Sequence, residues 1–231
     1  MVAMEGNALE WNPEKPNGPA RSAVTAQPAE RLLYHGSAVR GLTVLEPRSV
    51  LHGASGEKVV YLSGSIPYAL LYIWDGVKNH SPEKWVTGGI RDGVAFCEEQ
   101  FPDQLRTFYG GVCGLVYGVQ QGKWTLPVCN REQMYYSEEP VPVCRATEVT
   151  DVYRELLHWE EEGAFRVLRF TEASPERQAE LTNRIADYIL QNGLLHSGSR
   201  QARFLERYFQ RAWEKAGEKS RKIITCHDVF E

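Results

Sequence analysis

Three short segments of this chain carry residues fit for chemistry. Leu32-Leu33-Tyr34-His35-Gly36-Ser37 closes an apolar run with a histidine, a glycine and a serine. A strand ending this way offers a ring nitrogen, a bare backbone and a hydroxyl at one spot, and glycine lets a ligand come close to the main chain. Val59-Val60-Tyr61-Leu62-Ser63-Gly64-Ser65 is a second such strand. Tyr61 brings a flat apolar face, and the strand runs into a helix start where backbone N–H groups and hydroxyls converge. Met134-Tyr135-Tyr136-Ser137-Glu138-Glu139-Pro140-Val141 sets two carboxylates before an apolar strand. Carboxylates there suit proton transfer or the stabilisation of a developing cation. Each segment also has a plain structural reading: a satisfied strand histidine, a core tyrosine, and acidic gatekeepers ahead of an edge strand opened by Pro140.

The bulk numbers narrow the function classes. The 231 residues suffice for one sizeable domain with an appendage. A net charge of −4 and a pI near 5.9 argue against nucleic acid as the main partner. No apolar run approaches the roughly 18–20 residues of a membrane span, and Met1-Val2-Ala3-Met4-Glu5-Gly6 lacks the form of a secretory signal. The expectation is a cytoplasmic protein without membrane contact. Cys97, Cys113, Cys129, Cys144 and Cys226 form no Cys-x-x-Cys pair, and the six histidines show no ligand spacing, so no metal is expected.

The elements that must position the three segments follow from local pattern. Residues 1–29, rich in Asn, Pro and Gly, read as an irregular leader. Residues 30–170 read as a domain of short strands, at 31–35, 43–45, 58–62, 114–119, 124–127 and 140–149. A helix capped by Ser65, with Pro67 in its first turn, presents Ala69, Leu70, Ile73 and Trp74, with Gly76 as its stop. A second helix is expected over Gly93 to Phe108, although Pro102 cuts its pattern. Residues 171–231 read as a C-terminal helical region. Ser174-Pro175-Glu176 starts one helix and Asn192-Gly193 ends it, and a second runs from Ser199 to Ala216. This last helix has an apolar stripe of Phe204, Leu205, Tyr208, Phe209, Ala212 and Trp213 opposite a basic face of Arg200, Arg203, Arg207, Arg211 and Lys215. The basic face reads as a solvated helix surface, with an acidic or nucleic-acid partner as the other reading.

In this order the three segments resemble the ADP-ribosyltransferase superfamily of the histidine–tyrosine–glutamate kind. The chain is similar to the small bacterial enzymes that ADP-ribosylate rifamycins and to the catalytic domains of poly-ADP-ribose polymerases. The likeness spans residues 31–152 and rests on Tyr34-His35-Gly36-Ser37, on Val60-Tyr61-Leu62-Ser63 with Tyr68-Ala69-Leu70-Leu71-Tyr72 after it, and on Ser137-Glu138-Glu139-Pro140-Val141. It implies an α+β fold with a split, mostly antiparallel sheet, a nucleotide cleft and a C-terminal helical appendage.

The resemblance also implies roles. NAD is the expected substrate, bound by His35, Gly36, Ser37, Tyr61, Ser63 and Tyr72. His35 would donate to a ribose hydroxyl, the Gly36 backbone and Ser63 would hold the nicotinamide carboxamide, and Tyr61 would stack on its ring. Breaking the nicotinamide–ribose bond builds oxocarbenium character, which a carboxylate stabilises. The rifamycin group often carries an aspartate there. The resemblance gives the role here to Glu139, with Glu138 in reserve, and the chain departs from the rifamycin group in having no aspartate between Asp103 and Asp151. The expected reaction is transfer of ADP-ribose to a protein, nucleic-acid or small-molecule acceptor with release of nicotinamide. The competing expectations are a catalytically inactive nucleotide-binding module on the same fold, and a module that binds a protein partner through its C-terminal helices.

Overall fold

The computed structural model describes residues 31–51 and 56–227, and the leader expected over 1–29 lies outside them. In chain order the strands are β1 (Leu32–Ser37), β2 (Val44–Leu45), β3 (Ser49–Val50), β4 (Lys58–Ser63), β5 (Thr87–Arg91), β6 (Val94–Glu98), β7 (Gly114–Gln120), β8 (Leu126–Pro127), β9 (Met134–Ser137), β10 (Val141–Pro142), β11 (Arg145–Val149) and β12 (Phe165–Leu168). The α-helices are α1 (Ile66–Leu70), α2 (Gln104–Tyr109), α3 (Val152–Glu161), α4 (Pro175–Gln191), α5 (Arg200–Tyr208) and α6 (Gln210–His227). The protein is α+β, and its main sheet is antiparallel throughout, in the order β11-β7-β1-β4-β9-β8 with β3 also on β4.

Alternation along these strands builds two cores. Leu33, Val60, Leu62, Tyr117 and Val119 face a small cluster closed by Leu45 and Val141, which belong to the β2–β10 ribbon. Tyr34 and Val116 face a much larger cluster under the helices. α1 ends at Leu70, short of the Ile73, Trp74 and Gly76 expected in and after it, and it and the turn that follows lie directly on the sheet at two glycines. A Cβ on Gly36 would stand 2.0 Å from the Ala69 carbonyl oxygen and 3.1 Å from Ile73 Cγ1, and one on Gly114 would stand 2.5 Å from Ile73 Cγ2. Ile73 thus fills a notch that only glycines leave open.

A second sheet, β12-β6-β5, pairs β12 with β6 in parallel and β6 with β5 antiparallel. It corrects the helix expected from Gly93 to Phe108. Val94–Glu98 is a strand that buries Ala95 and Cys97 at period two, and the helix is confined to Gln104–Tyr109, beyond Pro102. Asp92 and Gly93 both take positive φ (52° and 80°), which makes the tight turn that joins β5 to β6.

The C-terminal helices begin where their caps direct: the Ser174 and Ser199 hydroxyls accept from the Arg177 and Ala202 amides. The helix expected over Ser199 to Ala216 is two helices, broken at Phe209. The region is not a separate layer. Ile185, Ile189, Phe204, Leu205, Phe209, Ala212 and Ala216 belong to the same apolar cluster as Tyr68, Leu70, Ala95 and Phe108. Trp85 packs on Tyr188, Phe204 and Phe209 at centroid distances of 5.5–5.9 Å. The aromatic residues Trp85 and Phe101, between the two β-rich parts of the chain, are therefore core side chains.

Gly36→Ala tests the notch. Its methyl meets backbone atoms that cannot step aside, so a loss of about 1–3 kcal/mol of stability is expected from urea unfolding. Gly118→Ala, whose methyl would meet Arg145 Cβ at an ordinary 3.4 Å, leaves stability much closer to wild type.

Candidate functional site at the seam between two strands

β1 and β4 are neighbours, but they are bridged at one pair only, Tyr34 with Ser63. Backbone alternation sends the peptide groups of Val59, Tyr61 and Ser63 to the same edge of β4. There Val59 accepts from the Arg48 amide (3.3 Å), Tyr61 accepts from His35 Nδ1 (3.0 Å), and Ser63 bridges β1. The sheet therefore divides at this edge. β3 takes over from β1 along β4, and the His35 ring spans the gap. By the same alternation the N–H and C=O of Gly36 share the edge of Tyr34, so they turn toward the seam at the level of Tyr61.

A carbonyl only accepts, so His35 Nδ1 carries the proton. Burial, partly offset by the bond to Tyr61, holds the imidazole below its ordinary 6.5. In the neutral ring Nε2 is then an acceptor. This reverses the expected polarity: a ligand hydroxyl would donate to His35 and would not receive from it.

The other expected residues fall as follows. His35 lies on the face of Leu33, and Tyr61 lies on the face of Gly36 and Ser63, which α1 covers. The two side chains leave opposite faces of the sheet and meet only through the Tyr61 backbone, which corrects the expectation that the His35 and Tyr61 side chains hold the ribose and the nicotinamide ring in one shared cleft. The Tyr61 hydroxyl donates to the Val50 carbonyl (3.3 Å). Ser63 is buried. Its hydroxyl accepts from the Ser65 amide (3.0 Å) and donates to the Gln133 carbonyl (3.4 Å), so its proton is spent on the turn into α1. Ser37 Oγ accepts from the Val39 amide (3.1 Å). Tyr72 shares a hydroxyl contact of 3.2 Å with Tyr68.

Glu138 and Glu139 are exposed in the bend after β9. The Ser137 hydroxyl holds the Glu139 backbone, donating to its carbonyl (2.8 Å) and accepting from its amide (3.1 Å). β9 lies on the far side of β4 from β1, with Tyr135 opposite Leu62, the residue level with His35. Glu138 is three positions beyond Tyr135 in one direction, and Glu132 is three in the other.

Two features went unread in the sequence. Gln133, at φ 52°, accepts through its carbonyl from the Gly64 amide (2.8 Å) and from Ser63, and its neighbour Glu132 accepts from the Gly93 amide (2.7 Å). Lys84 lies half-buried with Nζ 3.8 Å from the centre of the Tyr72 ring, and burial brings its ammonium down to about 8. The pairing of β4 with β9 and the fold-back of residues 75–90 create both, and neither has a local signature. Among the described residues no group of three His, Cys, Asp or Glu side chains converges as metal ligands, and no helix is long and apolar enough to cross a membrane.

The lowered His35 pKa has a measurable consequence. An unfolded histidine protonates near 6.5, whereas the folded ring resists until lower pH. Its contribution to stability is therefore complete above that value and is lost as pH falls through the folded pKa. Thermal melts of His35→Gln, which keeps a donor for Tyr61, should show a smaller fall in Tm between pH 7.5 and 5 than wild type. An unchanged fall would mean that the ring titrates normally.

No protein-family model, no curated protein and no solved structure matches this chain.

Proposed function

We propose that the chain cleaves the nicotinamide–ribose bond of NAD at the β1–β4 seam and transfers ADP-ribose to an acceptor. The observation that carries this reading is the early parting of β1 and β4, bridged only at Tyr34–Ser63, which leaves the buried Gly36 peptide on the β4-facing edge without a ladder pair. A carboxamide offers one donor and one acceptor in a plane, as a peptide does, and pairs with such an edge as another strand would. Beside it stand the neutral His35 imidazole on one face of the sheet and the Tyr61 ring at the same level on the other face. That set suits a ligand made of an amide, a flat ring and a sugar. The likeness of His35-Gly36-Ser37 and Tyr61-Leu62-Ser63 to the ADP-ribosyltransferase motifs supports the same assignment.

In this reading the Gly36 backbone pairs with the carboxamide, and His35 Nε2 accepts from a ribose hydroxyl. Tyr61 lines the nicotinamide side together with Tyr72. As the glycosidic bond lengthens, nicotinamide leaves with the bonding electron pair and becomes neutral, and positive charge grows on the ribose. A carboxylate stabilises that charge. Glu139 and Glu138 are the candidates from the motif order, and Glu132 is the candidate from proximity to the Ser63-Gly64 turn. The acceptor's nucleophilic atom bonds to the ribose carbon and releases its proton.

A specific observation favours a second reading. Among the described residues no carboxylate is hydrogen-bonded to His35, and Glu138 and Glu139 are exposed. An inactive module that binds nucleotide without transferring it has this arrangement.

Nicotinamide release from NAD separates the two. Wild type should release it, and His35→Ala and Tyr61→Ala should lower the rate by about 100-fold or more. A comparable loss in only one of Glu139→Gln, Glu138→Gln and Glu132→Gln identifies the carboxylate. NAD binding without turnover in wild type selects the binding module. Absence of NAD binding to the wild-type chain overturns both readings.

A further inference from the structure

The strongest unassigned feature lies away from the seam, where α5 faces the loop that follows α1. His80, Arg200, Arg203, Phe204 and Arg207 line a groove of about 330 Å³. Arg200, Arg203 and Arg207 sit three and four residues apart, so they form one stripe on the helix. None of the three is in an ion pair with any described residue, and Glu206 on the same helix pairs with none of them. The contrast with nearby cations is direct. Arg169 is paired with Glu160, Arg177 with Glu98 and Glu180, and Lys219 with Asp187.

The three guanidinium groups are also held in place without being neutralised. Arg200 Nε donates to the His80 carbonyl (3.2 Å) and its Nη2 to the Gly76 carbonyl (3.5 Å). Arg203 donates to the Gly198 carbonyl, and Arg207 lies 5.3 Å from the centre of the Tyr208 ring. Backbone carbonyls use one or two of the five N–H donors of an arginine and leave the rest of the fork available. Phe204, buried at the base, keeps the floor rigid.

We propose that this groove binds a linear polyphosphate chain, either inorganic or the tail of a nucleotide. Arginine forks match phosphate oxygens bidentately. At a rise of 1.5 Å per residue the row from Arg200 to Arg207 extends about 10 Å, which suits two or three successive phosphates better than one. The groove has the size of a small-ligand site, and the net charge of −4 disfavours a broad nucleic-acid surface. The site is independent of the proposed NAD seam, because it uses none of the residues of that site.

Calorimetric titration of the full chain with inorganic triphosphate tests the assignment. One equivalent should bind, more weakly as salt is raised. Arg203→Ala combined with Arg207→Ala should weaken binding by about tenfold or more, while Lys58→Ala combined with Lys123→Ala stays within about twofold of wild type. Arg203→Lys with Arg207→Lys keeps the charge without the fork and should recover only part of the affinity. A nucleoside triphosphate in the same titration separates the sources: tighter uptake assigns a nucleotide, and equal uptake assigns the bare chain. No saturable uptake by wild type, or equal uptake by the double alanine variant, overturns the proposal. So does tighter binding of an unphosphorylated single-stranded oligonucleotide that the same variant abolishes. Nicotinamide release from NAD, measured on the same variant, should be unchanged, and its loss together with triphosphate binding would merge this groove with the seam and overturn its independence.

Discussion

The Ala69 carbonyl rests where a side chain on Gly36 would stand, and the geometry around the seam depends on that contact. β4 turns into α1 within Ser63-Gly64-Ser65. That turn leaves amides without strand partners. Ser63 Oγ takes the Ser65 amide, Ser65 Oγ takes the Tyr68 amide, and the Gln133 carbonyl takes the Gly64 amide. Each substitution of a side chain or a neighbouring strand for a lost ladder bond is what keeps a buried turn affordable in free energy. At the far end of α1 the Leu71 carbonyl accepts from the Tyr109 hydroxyl (2.6 Å), which ties the same helix to α2.

Next to this contact β1 and β4 are bridged at Tyr34–Ser63 only. A divided sheet inside a protein exposes peptide groups whose desolvation costs about 1–3 kcal/mol each when left unmatched. The structure deals with the β4 side of the division through His35 and the 48–50 segment, and the Gly36 peptide is buried beneath α1. A histidine suits the plug because its ring can donate sideways to a carbonyl and still present an acceptor beyond it. Lysine would bring a charge that the half-buried site disfavours, and asparagine would not reach as far.

The parts of this arrangement that were legible in the sequence are those with local causes. Ser65 with Pro67, Ser174 with Pro175, and Asn192-Gly193 mark helix ends because caps and dihedral preferences act within a few residues. The strands carrying His35 and Tyr61 were legible from β-branched and aromatic content. Val94–Glu98 was not: its apolar residues fit a helix poorly across Pro102, and what makes them a strand is the Asp92-Gly93 turn that pairs them with β5. The break at Phe209 has a tertiary cause: its ring packs on Trp85, Phe101 and Phe204 at 5.1–6.0 Å, and a straight helix through Tyr208 and Phe209 would withdraw one of the two from the aromatic core. The role of Gln133 depends on β9 lying beside β4, and nothing within Arg131-Glu132-Gln133 announces that partner.

Charge placement follows the same division between local and long-range causes. Read along the chain, Arg200, Arg203, Arg207, Arg211, Lys215 and Lys219 look like one solvated basic face. Folding sorts them. Lys219 meets Asp187 on α4 at 2.6 Å, and Arg211 lies 6.0 Å from the centre of the Phe170 ring. The break after Tyr208 redirects α6, so only the α5 arginines face the loop at His80. A purely solvated face has no need of carbonyls to orient its guanidinium groups, because water serves every donor at no conformational cost. Arg200 and Arg203 instead give up side-chain freedom to bond backbone carbonyls without gaining a counter-ion. That ordering is unfavourable for an isolated surface arginine and favourable for one that must meet an anion in a fixed position, since the entropy is already spent before the anion arrives.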